Sequence, residues 1–331
     1  MYKIFQQLLA KYRLGNVSTS PILVTGGLLH KMYHVITDKS EYAIKVLNPD
    51  IMQRPEAFQN TVNSERISHA FQGRIPLVAA RELAGEHVVK YDNHYFMIFD
   101  WLDGQSVLGS DITVNHCRAV GDILGKMHSA NITIEGMGTQ QEDRKRFAWE
   151  QYLQEAEVQK VSWFSEYSTM LLKLKSWDEQ IQVFAQELSE YQVISHRDLD
   201  PKNIMWQQEH PFVIDWEAAG YVNPWQELIE VLNYWIADAH GAYVKEKFDA
   251  LMQAYCVHMD IDAVNWEAAL SSGYDGMLGW LEYNLKRALG LEGTKQSDRQ
   301  EGQAQVLGTL AELRKYEMRI SELMEWLKNL M

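Results

Sequence analysis

Residues 193–217 hold the densest set of groups able to do chemistry. The run Val193-Ile194-Ser195-His196-Arg197-Asp198-Leu199-Asp200-Pro201-Lys202-Asn203 leads an apolar strand into His-x-Asp, and an Asn follows that Asp five positions later. A second apolar strand, Pro211-Phe212-Val213-Ile214, then delivers Asp215. Phosphoryl transfer to a hydroxyl needs a carboxylate to orient that hydroxyl and accept its proton, and hard oxygen ligands for Mg²⁺. Asp198 suits the first task. The amide oxygen of Asn203 and the carboxylate of Asp215 suit the second.

Two further groups lie near the N-terminus. Gly26 and Gly27 fall between two predicted strands, where a hairpin could cover phosphates with backbone N–H groups. Lys45 sits in Tyr42-Ala43-Ile44-Lys45-Val46, an otherwise apolar strand, where its ammonium needs a partner or a surface.

The elements that must position these groups follow from periodicity and turn residues. An amphipathic helix opens the chain, with Ile4, Phe5, Leu8, Leu9 and Tyr12 on one face. Strands are expected at 21–25, 31–37 and 42–47, a helix at 57–71, and a hairpin at 88–91 and 94–101 through Asp92-Asn93. Beyond Gly104 helical periodicity dominates, at 111–130, 143–160, 165–189, 225–257, 263–290 and 297–329, broken only by the compact stretch 193–216. A small β-rich part followed by a larger helical one places the boundary at 103/104.

The His-x-Asp-x-x-x-x-Asn pattern resembles the kinase catalytic loop. With Ile214-Asp215-Trp216-Glu217 in place of Asp-Phe-Gly, the chain resembles the aminoglycoside phosphotransferase and choline kinase family over roughly 20–290. That resemblance implies an α+β, bilobed, protein-kinase-like fold: a β-rich N-lobe at 1–103 binding nucleotide, and a mainly helical C-lobe at 104–331 carrying the catalytic loop and the acceptor. It implies Asp198 as the catalytic carboxylate, and Mg²⁺ held by Asn203 and Asp215. ATP or GTP would be the phosphoryl donor, bound with Gly26, Gly27 and Lys45. Glu65 is expected to pair with Lys45, with Glu56 as its competitor. His94–Gly104 resembles the family hinge, so an adenine edge would meet the C=O of Asp100 and the N–H of Leu102. His196 is expected to brace the loop and His128 to be a packed structural histidine. Arg197 stands where the family has Gly, and a local structural role is expected of it.

Composition narrows the partners. Hydrophobic residues at 46% and charged residues at 23% are ordinary for a globular chain. Net charge is −14, against a nucleic-acid partner, and unevenly spread: residues 1–100 carry +2 and the remainder −16. The two cysteines lack metal-ligand spacing, and no stretch approaches the apolar length of a membrane span. A cytoplasmic protein without a membrane partner is expected, monomeric or homodimeric according to whether the last helix packs across its own lobe or forms a coiled coil. The acceptor is expected to be a small hydroxyl compound bearing an amine, set against a wall of Asp275, Trp280, Glu282 and Tyr283. A protein kinase is disfavoured because too few residues follow Asp215 to form an activation segment. An inactive scaffold is disfavoured because it would not need Lys45, Asp198, Asn203 and Asp215 together.

Overall fold

The computed structural model describes residues 1–24, 30–139, 146–292 and 296–330. Gly26 and Gly27 lie outside the described residues. In chain order the strands are β1 (Ile22–Val24), β2 (Lys31–Ile36), β3 (Glu41–Val46), β4 (Val89–Tyr91), β5 (His94–Asp100), β6 (Gln105–Ser106), β7 (Val193–Ser195), β8 (Ile204–Gln207), β9 (His210–Val213) and β10 (Gly220–Val222). The helices are α1 (Tyr2–Lys11), α2 (Pro49–Met52), α3 (Ala57–Phe71), α4 (Val114–Ser129), α5 (Trp149–Val158), α6 (Phe164–Glu190), α7 (Pro224–Trp235), α8 (Lys245–Tyr255), α9 (Trp266–Leu289) and α10 (Gln296–Lys328). The N-terminal region is a β-sheet and the C-terminal part mainly helical, as a protein-kinase-like fold requires. No helix of the described residues is long and apolar enough to cross a membrane.

By contacts the chain forms two compact units. The first comprises Met1–Gly138, Ile194–Gly220 and Asp249–His258; the second comprises Thr139–Val193, Tyr221–Phe248 and Met259–Met331. In the first, the antiparallel strands run in the order β1-β2-β3-β5-β4. Along β3 burial alternates: Tyr42, Ile44 and Val46 face a core built with Phe5, Leu8 and Leu9 of α1, Val35, Phe96 and Ile98. The two-residue period of a strand therefore sends Lys45 to the opposite face, away from that core.

The hairpin β8–β9 pairs Ile204 with Val213 and Met205 with Phe212, while β6 pairs with β8 on its other side. Residues after α3 clamp β9: Val78 N–H donates to the Val213 carbonyl at 2.9 Å, and Val213 N–H to that of Pro76 at 3.1 Å. α4 lies close on the 251–258 backbone because Gly121 has no side chain; a Cβ there would meet the Leu251 carbonyl at 2.2 Å. Further along α4, His128 is fully buried and its Nδ1 lies 2.8 Å from the Tyr255 hydroxyl, the packed structural histidine expected.

The second unit is aromatic-rich. Trp149, Trp163, Tyr167, Trp177, Tyr274 and Tyr316 share one core with the apolar faces of α6, α9 and α10. The last helix thus packs on its own unit, burying Val306, Leu310, Leu313, Leu323 and Leu327. The continuous helix expected over 225–257 is instead two, α7 and α8. Between them the Asp238 carboxylate accepts N–H bonds from His240 at 2.8 Å and Ala242 at 2.9 Å, and Gly241 takes φ +81°. A short acidic side chain that captures following N–H groups favours a turn over helix continuation.

Candidate active site

β7 carries three buried residues into the loop. His196 is fully buried and its Nε2 donates to the Ile214 carbonyl at 3.0 Å, so it ties the loop to the end of β9, the bracing role expected of it. Arg197 has φ +64°, a left-handed conformation in which glycine is at ease and a side chain strained.

Asp198 follows, its side chain about a third exposed. Asn203 points both amide N–H groups at it, one to the backbone carbonyl at 2.8 Å and one to Oδ2 at 2.9 Å. Spacing explains the contact: Asp200 caps the short turn Pro201–Asn203 through the Lys202 N–H at 2.8 Å, which folds the chain back on itself. Lys202 Nζ stands 3.5 Å from the same Asp198 carboxylate and 3.8 Å from Asp200. With its N–H groups committed, Asn203 keeps an amide oxygen for another partner.

Ile214 N–H donates to the Asn203 carbonyl at 2.9 Å, placing Asp215 directly after the residue that faces Asn203 across the hairpin. Asp215 itself is strained, at φ +60° and ψ +66°. Its Oδ1 accepts from Lys45 Nζ at 3.1 Å, and Glu217 Oε1 accepts from the same ammonium at 2.5 Å. Burial alone would lower the Lys45 pKa, but the two carboxylates overcome it and hold the group above its ordinary value. The Lys45 side chain is only 12% exposed.

The ion pair expected between Lys45 and Glu65 is not formed. Glu65 is buried in α3 and its Oε2 accepts from the Ala80 N–H at 2.9 Å and from the Ser68 hydroxyl at 3.2 Å. Burial raises its pKa against those hydrogen bonds, and Lys45 reaches it only as a more distant charge. Sequence reasoning assigned Glu217 no role, although a second carboxylate two residues after Asp215 was the available signal. It also passed over His30, whose Nε2 stands 3.4 Å from Glu217 Oε1.

At the hinge, Trp101 N–H donates to the Glu41 carbonyl at 3.1 Å, so Tyr42 and Asp100 form a pair without direct bonds between them. The N–H and C=O of Asp100 therefore face away from β3, on the side where Ile98's carbonyl receives Arg81 N–H at 2.7 Å. The Asp100 carboxylate pairs with Arg81 at 2.5 Å. Leu102 follows in the non-helical segment before β6.

Asp275, Trp280, Glu282 and Tyr283 all lie on α9, in the second unit. Trp280 and Tyr283 are exposed, with rings 5.6 Å apart. Glu282 is already engaged, by the Tyr152 hydroxyl at 2.7 Å and Lys286 Nζ at 3.0 Å. The Arg287 guanidinium lies 5.4 Å over the Tyr283 ring.

Comparison with known proteins places the fold. A spectinomycin phosphotransferase, APH(9)-Ia, solved with ADP and spectinomycin, superposes with a TM-score of 0.66 at 11% identity, covering 96% of this chain and 98% of that one. An amicoumacin kinase solved with AMP-PNP and Ca²⁺ gives 0.63 at 14% identity, covering 95% and 94%. A microcompartment-associated aminopropanol kinase gives 0.62 at 16% identity, covering 96% and 98%. At these identities the likeness concerns the fold. A search of curated protein sequences gives no match. The model of the phosphotransferase enzyme family APH matches residues 22–259, and the chain belongs to that family.

Proposed function

We propose that this phosphotransferase moves the γ-phosphoryl group of ATP or GTP to a hydroxyl of a small, amine-bearing molecule. The observation that carries this reading is the convergence of Lys45, Asp198, Asn203 and Asp215 within one compact unit, with Asn203 gripping Asp198 and Lys45 bound to Asp215. Asp198 orients the acceptor hydroxyl and takes its proton as the new O–P bond forms. The bond from the γ-phosphorus to the bridging oxygen breaks, and the nucleoside diphosphate leaves with that electron pair.

The amide oxygen of Asn203 and the carboxylate of Asp215 fit a hard divalent cation such as Mg²⁺. Mg²⁺ usually takes only one or two carboxylates from protein and draws the rest of its shell from phosphate and water. When bound, Mg²⁺ neutralises phosphate charge. Lys45 adds a fixed positive charge at the phosphates, and the backbone C=O of Asp100 with the N–H of Leu102 would receive the base. Nucleotide binding is assigned to residues 1–103, with Gly26 and Gly27 over the phosphates. The catalytic loop and acceptor are assigned to residues 104–331, the acceptor meeting α9 at Asp275, Trp280, Glu282 and Tyr283.

A screen for ADP or GDP release with Mg²⁺ over aminoglycosides, macrolides, choline-like amines, sugars and amino alcohols tests the reading. Turnover is expected with a hydroxyl compound that carries an amine. Best turnover with a neutral sugar would remove the amine, and labelling of casein in preference to every small molecule would remove the substrate class.

A further inference from the structure

Lys45 cannot rely on Asp215 if Asp215 also serves a metal, so another carboxylate must hold the ammonium. Glu65 is poorly placed for it. Its oxygen is committed to the Ala80 N–H and the Ser68 hydroxyl, and burial biases it toward the neutral acid. Glu217 is placed well, at 2.5 Å from Nζ, the shorter of the two contacts that Lys45 makes. An ammonium has three N–H donors. With Asp215 given over to a metal, the bond to Glu217 uses one and leaves the others for phosphate oxygens.

Glu217 is itself steadied from a third element. The Nδ1 of His30 accepts the Asn48 backbone N–H at 2.9 Å, so the neutral ring carries its proton on Nε2. That nitrogen stands 3.4 Å from Glu217 Oε1, the oxygen that also meets Lys45. The His30 side chain is only 8% exposed, so the ring has little freedom to leave. Three segments therefore converge: β3 supplies Lys45, the short turn after β9 supplies Glu217, and the residue before β2 supplies His30.

We propose that Glu217, steadied by His30, is the positioning carboxylate of Lys45, in the role the sequence assigns to Glu65. This rests on the phosphotransfer reading above, and Lys45 remains the group that touches phosphate.

The test combines calorimetric binding of Mg·ADP with steady-state kinetics on the best acceptor of the panel. Glu217→Gln should weaken Mg·ADP and raise KM for Mg·ATP by roughly tenfold or more, the scale of one charge-assisted bond, with a smaller fall in kcat. Glu217→Asp should recover part of the loss. His30→Ala should cost about threefold and His30→Gln, which can accept from Asn48 and donate to Glu217, should cost less. Glu65→Gln should stay within about twofold, because its side-chain oxygen still serves the Ala80 N–H.

A Lys45→Met background separates positioning from folding. If Glu217 acts through Lys45, then Glu217→Gln adds little once the lysine is gone; a Glu217 effect that persists in full there overturns the proposal. So does a large KM effect in Glu65→Gln with Glu217→Gln silent. An unsubstituted chain that binds no Mg·ADP overturns the phosphotransfer reading and this proposal with it. Binding that is intact but indifferent to Glu217 overturns this proposal alone.

Discussion

Residues 194–217 and helix α9 both present acidic and aromatic side chains, but they hold them by different means. In the loop three polar side chains secure other parts of the loop: His196 holds the Ile214 carbonyl, Asp200 the Lys202 N–H, and Asn203 the backbone carbonyl and one carboxylate oxygen of Asp198. Three non-glycine residues, Arg197, Gln208 and Asp215, sit at positive φ. On α9 the backbone is regular, and the inward Tyr274, Leu278, Leu281 and Leu285 fix the helix whatever its outward residues are. Strain persists only where surroundings over-determine it. The loop has one workable arrangement, whereas the outer face of α9 can change its chemistry without disturbing the fold. Under the proposed function, the invariant chemistry falls on the first kind of element and acceptor choice on the second.

Asp198→Asn puts the greatest strain on that contrast. It keeps shape and removes the charge, so kcat should fall by a factor on the order of 10²–10⁴ with little change in nucleotide affinity. Single-turnover rates with the best acceptor decide it; near-normal turnover would remove Asp198 from the proton transfer. Asp215→Ala and Asn203→Ala should come next, raising the Mg²⁺ needed for half-maximal rate by about tenfold or more. Asn203→Ala should also lower kcat, because it frees the Asp198 carboxylate. Titrating Mg²⁺ at fixed nucleotide separates the two, and unchanged metal dependence in both variants would leave the metal without these ligands.

Substitutions on α9 should act on the acceptor alone and more gently. Tyr283 already faces the Arg287 guanidinium, and Glu282 already answers Tyr152 and Lys286, so Trp280 is the ring with most to offer a cationic acceptor. Trp280→Ala should raise the acceptor KM by about threefold to thirtyfold, the range of one cation–π contact, and leave KM for nucleotide unchanged. An amine-bearing acceptor drawn by the −16 balance of residues 101–331 should also lose kcat/KM as salt rises. Salt-independent turnover would detach the acceptor from that field.

The same contrast decides what could be read from the sequence. The His-x-Asp and Asn spacing was legible because it encodes a backbone turn, and the turn is local. The strand alternation that turns Lys45 from the core was legible for the same reason. Its partner was not, because Glu65 meets the Ala80 N–H fifteen residues away and that contact exists only once α3 is docked. Periodicity carried α6 and α9 closely, yet it ran through 236–244, where apolar residues continue at helical spacing and one aspartate turns the chain. On α9 the sequence displayed Glu282 as an open carboxylate, since nothing in it announces Tyr152 from another helix.

The smallest expected effect separates Glu65 from Glu217 without any substrate. Burial holds the Glu65 carboxyl above its ordinary value, against the Ala80 and Ser68 hydrogen bonds and the charge of Lys45. For an acid whose folded-state value is raised, protonation favours the folded state, so the stabilisation is complete below the unfolded value near 4.3 and is lost as pH rises through the folded one. Glu65→Gln has no charge to desolvate and keeps an oxygen for Ala80. The melting temperature of Glu65→Gln relative to the unsubstituted protein should therefore rise as pH climbs from the unfolded value toward neutrality. Thermal melts of Glu65→Gln and the unsubstituted protein across that range decide it. A relative stability of Glu65→Gln that falls with pH would mean that the ionised carboxylate is the stabilising form, as an ion pair with Lys45 would require, and would make Glu65 rather than Glu217 the residue that positions the lysine.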